Sequence, residues 1–191
     1  MNLHFVTRNP LKFAVAKEIM SEYGISLVRA PLETPEIQSL HGKKVCEFSA
    51  RHAARQLNCP IVKSDVSYSI SALNGFPGPY VKHINQWLTA KDLLKLMSGK
   101  KNRRATIIDY VSYAEPSGKV RTFIGRFSGR IASCANSRRG TPIDQLFIHE
   151  GYKTPQSHLS SAKTLQFFQK HSSAWDKLGR YLQTQKANHG R

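Results

Sequence analysis

The chain begins Asn2-Leu3-His4-Phe5-Val6-Thr7-Arg8-Asn9-Pro10-Leu11-Lys12, an apolar run that passes through a short polar turn to a lysine. A strand that ends in such a turn hands over to a helix whose first backbone N–H groups have no partner within the helix. The dipole presents its positive end there too, and the two together hold a phosphate well. Lys12 adds a mobile cation at the same place. The same residues also make an ordinary helix start, with Asn9 as N-cap and Pro10 at the first helical position. Other chemistries lack their residues. Cys46, Cys59 and Cys134 are odd in number and without paired metal-ligand spacing, so they read as reduced, small buried apolar side chains. The eight histidines show no ligand pairing, and His149 reads as a loop residue. No Ser-His-Asp or Cys-His arrangement stands out.

The elements that must position the turn follow from periodicity. Leu3 to Thr7 reads as a buried strand and Pro10 to Tyr23 as an amphipathic helix stopped by Gly24. Ile25 to Arg29 is a second strand and Pro31 to Leu40 a loop. Lys43 to Leu57 is an alanine-rich helix. Ile61-Val62 starts a strand leading to Asp65, and Tyr68 to Leu73 continues it after a bend. Asn74-Gly75-Phe76-Pro77-Gly78-Pro79 is a tight turn. Val81 to Met97 makes one or two helices. Strands Arg104 to Ala114 and Lys119 to Ala132 flank a hairpin turn at Glu115-Pro116-Ser117-Gly118. Gly125 and Gly129 on the second of these imply a bend or a close backbone approach. Leu159 to Phe168 and Ala174 to Thr184 are helical, and Lys186 to Arg191 is a flexible basic tail. The reading is one α/β domain over residues 1–185. Trp87 and Trp175 read as core or interface.

Composition excludes some classes and favours others. At 191 residues and 40% hydrophobic, the chain can bury one sizeable core. It has no apolar window long enough to span a bilayer and no signal-peptide pattern, so no membrane partner and a cytoplasmic place are expected. Twenty-nine Lys and Arg against twelve Asp and Glu give +17. That balance predicts attraction to polyanions: nucleoside triphosphates, nucleic acid or acidic surfaces. Lys100-Lys101-Asn102-Arg103-Arg104 and Ser137-Arg138-Arg139 are the densest clusters, although any one cluster can simply be a solvated face.

Placed in order, these pieces resemble the inosine triphosphate pyrophosphatase (Ham1-like) family. Four stretches carry the resemblance, which runs from Phe5 to about Lys170. They are Thr7 to Lys12, Pro35-Glu36-Ile37-Gln38, Ala72 to Lys82 with its Pro77-Gly78-Pro79-Tyr80, and Gly125-Arg126-Phe127-Ser128-Gly129-Arg130-Ile131. The resemblance implies an elongated mixed β-sheet with flanking helices forming two lobes around a central cleft. It implies hydrolysis of non-canonical purine nucleoside triphosphates of the ITP, XTP and dITP type to monophosphate and pyrophosphate, with Mg²⁺. It also implies a homodimer, formed through the segment around the Pro-Gly-Pro-Tyr turn.

By the same resemblance, Thr7, Arg8, Asn9, Lys12, Lys82, Asp144 and Lys170 would contact substrate. Glu36 and Asp65 would hold the metal, and Asp65, aided by Lys12, would activate water. Carboxylates suit that task because Mg²⁺ is a hard cation that prefers oxygen. On the residues alone, Glu36 and Asp65 could equally be solvated loop or turn positions. The chain departs from the family in places. Ser64-Asp65 stands where two adjacent acidic residues are usual, Arg8 replaces a glycine, and Thr141-Pro142-Ile143-Asp144 lacks two base-stacking aromatics. The family's late Lys and His-Arg pair align with Thr164 and Gln169-Lys170. The alternative is a catalytically impaired protein of the same fold that binds nucleic acid or a nucleoprotein assembly through its basic surface. A third reading has Arg8, Lys63 and Arg138 remodelling the site for another anion.

Overall fold

The computed structural model describes residues 2–135 and 139–189. Arg138 and the end of the basic tail therefore lie outside the described residues. The strands are β1 (Asn2–Val6), β2 (Ser26–Ala30), β3 (Ile61–Ile70), β4 (Pro77–Gly78), β5 (Arg104–Ala114), β6 (Val120–Ile131) and β7 (Phe147–His149). The helices are α1 (Pro10–Glu22), α2 (Gly42–Leu57), α3 (Val81–Trp87), α4 (Ala90–Leu96), α5 (Ser161–His171) and α6 (Ser173–His189). Strand order is β2-β1-β3-β5-β6-β7, with β4 on β3. β1 is parallel to both β2 and β3, whereas β7 is antiparallel to β6. This is a mixed sheet in an α/β fold.

The chain divides into two compact units. The first comprises Met1–Asp65, Asp109–Gly125 and Phe167–Arg191, and the second Val66–Ile108 and Arg126–Gln166. In the first unit, Val6, Ile61 and Ala114 pack against the alanine face of α2, through Ala50, Ala53 and Ala54. Small side chains let that helix lie close to the sheet. On the other face, Phe5 meets Phe13 of α1 and, edge-on, Trp175 of α6. In the second unit, Phe147 packs edge-on against Tyr68, beside the buried Ile143, Leu146 and Ile148.

Several boundaries differ from the expected ones, each for a local reason. β3 runs unbroken through Val66 and Ser67, so there is no bend after Asp65. The segment after Val81 splits at Leu88, because Thr89 and Asp92 form a reciprocal capping box that starts α4. β7 is too short to show alternation, and α6 runs on to His189, through residues read as tail. The glycines of β6 do mark close approaches. A Cβ at Gly129 would collide with the Ile148 carbonyl and the Phe147 ring. Trp175 is core, but Trp87 is 73% exposed. Of the thiols, only Cys46 is buried; Cys134 is exposed. His149 sits buried on β7 rather than in a loop.

Candidate active site

In the first unit the turn between β1 and α1 forms as its residue types dictate. Thr7 is buried, and its hydroxyl accepts from the Asn9 backbone N–H at 3.1 Å. Asn9 caps the helix, its Oδ1 accepting from the N–H groups of Leu11 at 2.9 Å and Lys12 at 3.2 Å. Arg29 of β2 braces the turn by donating to the Thr7 and Arg8 carbonyls. The Arg8 guanidinium pairs with Glu33 at 3.4 Å across exposed surface. Its charge is thus directed to the loop after β2.

Lys12 is half-buried in the first turn of α1 and is the hub of the unit's electrostatics. Its charge acts on Cys46, Lys63 and Asp109. Asp65, half-buried where β3 leaves this unit, acts on the same three groups. The exposed Glu36 acts on Lys63, and its loop is tied down where Ser49 of α2 donates to the Pro35 carbonyl at 2.7 Å. Burial pulls the Lys63 ammonium below its ordinary pKa, and Lys12 pulls it further. Burial pushes the Cys46 thiol up to about 12, so it is not a nucleophile at neutral pH. It donates instead to the Lys63 and Tyr110 carbonyls, 3.6 Å from each.

Asp109 is the residue that sequence reasoning missed. It lies on β5 at 7% exposure, and among the described residues its carboxylate has no hydrogen bond or ion pair. Burial drives its pKa up to about 6 against the pull of Lys12, with Asp65 adding to the rise. Faces can be assigned by alternation along the strands. Ser112 bonds Cys46 and Ala114 packs on α2, so Asp109 faces the opposite side of the sheet. Ile61 also packs on α2, which puts Ser64 on the face that Asp109 occupies. The only signal in the sequence is an acid inside the apolar run Thr106-Ile107-Ile108-Asp109-Tyr110-Val111.

The donor set suits a hard cation: carboxylate oxygens, with the one nearby thiol held protonated. Among the described residues no three His, Cys, Asp or Glu side chains converge on one point. That is compatible with Mg²⁺, which commonly takes one or two carboxylates and completes its shell with water and substrate phosphates. Lys170 also belongs to this unit, exposed at the end of α5.

Asp144 and Lys82 belong to the second unit. Lys82 is exposed on α3. Asp144 is engaged by its own surroundings. One oxygen accepts from the Thr141 hydroxyl at 2.7 Å and its N–H at 3.2 Å. The other accepts from Tyr68 at 3.2 Å and Gln156 at 3.1 Å. Gln156 in turn meets His149 Nε2 at 2.7 Å. Burial and the Asp144 charge hold the Tyr68 phenol well above its ordinary pKa, so it remains a donor. Asp144 thus fixes the 141–144 turn, in a network that includes Tyr68, Gln156 and His149.

Comparison with known proteins agrees with this architecture. The chain is 39% identical to a dITP/XTP pyrophosphatase of Methanopyrus kandleri, over 79% of this chain and 80% of that one. It is 32% identical to a dITP/XTP pyrophosphatase of Methanothermobacter marburgensis, over 87% and 89%. The Ham1 protein of Staphylococcus aureus superposes with a TM-score of 0.77 at 21% identity, covering 97% of this chain and all of that one. The family model described as Ham1 family matches residues 3–180, and the chain belongs to the Ham1 family.

Proposed function

We infer that this protein is a nucleoside triphosphate pyrophosphatase, acting on non-canonical purine nucleotides of the dITP/XTP type to release pyrophosphate. The observation that carries the reading is the set of curated relatives of that activity, matched over about four-fifths of both chains. The charges of Lys12 and Asp65 support it, since both reach the buried Asp109 and Lys12 is a phosphate-seeking cation on a capped helix. The catalytically silent binding protein weighed on the sequence is not favoured.

In this reading Lys12 neutralises triphosphate charge, and the Thr7–Asn9 turn fixes the helix end that receives it. Glu36 and Asp65 would hold Mg²⁺, while Asp109 carries its carboxyl on the face that Ser64 shares, opposite that of Asp65. When bound, the metal would polarise the phosphoryl oxygens and offset their charge. Asp65 orients the attacking water and takes its proton. Arg8 and Lys170 are the first unit's cations for the outer phosphates, Lys82 is an exposed cation of the second unit, and Asp144 positions the turn there. A homodimer in the cytoplasm belongs to the same reading.

The test is pyrophosphate release from ITP, XTP, dITP, dUTP and the four standard triphosphates with Mg²⁺, with Asp65→Asn alongside. Turnover of the purine analogues, lost in that variant, is expected. No turnover on any of them by folded protein would overturn the reading.

A further inference from the structure

Among the described residues, the half-buried ammonium of Lys63 on β3 makes no hydrogen bond and no ion pair. Three donors held away from bulk water without an acceptor oppose folding. The backbone beneath them is fixed, since Cys46 of α2 donates to the Lys63 carbonyl at 3.6 Å. Register shows what the side chain accompanies. Lys63 pairs with Val6, the last residue of β1, and the Thr7–Lys12 turn follows at once. Val6 and Ile61 both pack on α2, so alternation puts Lys63 and Asp65 on that same face. Phe13 of α1 packs on Phe5, on the opposite face. The sequence order of the sheet, β2-β1-β3, reverses at β1. In open α/β sheets ligands enter beyond the carboxyl ends of the strands at such a reversal. Lys63 stands beside the strand end that leads into the phosphate-seeking turn.

Charges of both signs reach this ammonium. Asp65 and Glu36 attract it, although it pairs with neither, and Lys12 repels it. Two ammonium groups near enough to repel each other are reconciled by an anion that accepts from both. A triphosphate is such an anion. We propose that Lys63 is a substrate-binding residue, whose ammonium donates to the phosphate chain of the triphosphate together with that of Lys12. The inference rests on the pyrophosphatase reading and adds a contact to that site.

The probe is inorganic tripolyphosphate, titrated by calorimetry into the full chain with a chelator present, so that no metal contributes. Lys63→Met removes the charge at similar size, and Lys63→Arg keeps a cation. Lys101→Met, at an exposed position of the second unit, controls for the loss of one net charge. Lys63→Met should weaken tripolyphosphate binding about tenfold, the weight of one charged hydrogen bond. Lys63→Arg should keep most of the affinity, and Lys101→Met nearly all of it. With dITP and Mg²⁺, Lys63→Met should raise KM about tenfold and leave kcat near the parent value. That split marks a contact made equally in the bound substrate and in the transition state. Melting curves should show Lys63→Met at least as stable as the parent, because a half-buried charge without a partner is gone.

Equal tripolyphosphate affinity in the Lys63→Met and Lys101→Met proteins would overturn the proposal, as would a parent protein that binds none. A fall in kcat with tripolyphosphate affinity intact would assign Lys63 to balancing Glu36 and Asp65, and would overturn it as well. So would loss of folding in Lys63→Met, because the lysine would then serve the fold. The pyrophosphatase reading fails separately. A parent that binds tripolyphosphate through Lys63, yet releases pyrophosphate from no triphosphate, would keep this contact and refute that activity.

Discussion

A carboxylate that is 7% exposed and has no hydrogen bond among the described residues opposes folding, because its charged form is poorly solvated there. Asp109 is such a group, and its pKa is raised from 3.8 to about 6. For an acid raised on folding, the unfolded chain releases its proton first as pH rises. Stability is therefore lost between about pH 4 and about pH 6 and is level above that window. Asp109→Asn should be more stable than the parent at pH 7.5, by up to about 3 kcal/mol, and indistinguishable from it at pH 3.5. Urea unfolding at the two pH values checks this; equal stability at both would mean that the carboxylate is better solvated than its burial suggests. If the Asp109 charge also serves turnover, the same variant should lose most of its pyrophosphate release. A gain in stability with a loss of function marks a residue kept for chemistry. Asp65→Asn should lower pyrophosphate release by a factor of about 100 or more, since it removes a charge that the transition state needs.

At the scale of elements, what could be read in advance was what depends on neighbours in sequence. β1, α1 and α2 follow from periodicity, and the Asn9 cap and Gly24 stop from residue type. The turn from Thr7 to Lys12 was legible for the same reason. Asp109 was not, because its meaning comes from β5 lying beside β3, a pairing of distant segments that periodicity does not encode. His149 was likewise placed by β7 pairing with β6. The glycines of β6 gave half of this away, since they signalled a close approach without naming the partner. Gly129→Ala tests that approach: its Cβ would meet the Ile148 carbonyl and the Phe147 ring, neither of which can move freely. A loss of about 1–3 kcal/mol in unfolding free energy is expected. A neutral substitution would show that β7 can shift away from β6.

For the whole molecule the governing quantity is a charge of +17 on 191 residues. Four ion pairs join described residues, and each involves at least one exposed side chain, so they contribute little. Self-repulsion should then weigh against the compact state at low ionic strength, since added ions screen charges separated by more than a Debye length. Raising NaCl from about 20 to about 300 mM, where that length falls below about 10 Å, is expected to raise the melting temperature. If screening relieves about 1 kcal/mol, the rise is about 2–4 °C for a chain of this size. A variant combining Lys91→Gln, Lys95→Gln, Lys100→Gln and Lys101→Gln should begin from a higher melting temperature and respond less, because removing charge and screening it relieve the same repulsion. A melting temperature that falls with salt in calorimetry would mean that the excess charge is already balanced within the fold. Attraction to polyanions would then have to be sought in local patches such as the Lys100-Lys101-Asn102-Arg103-Arg104 cluster rather than in the net field.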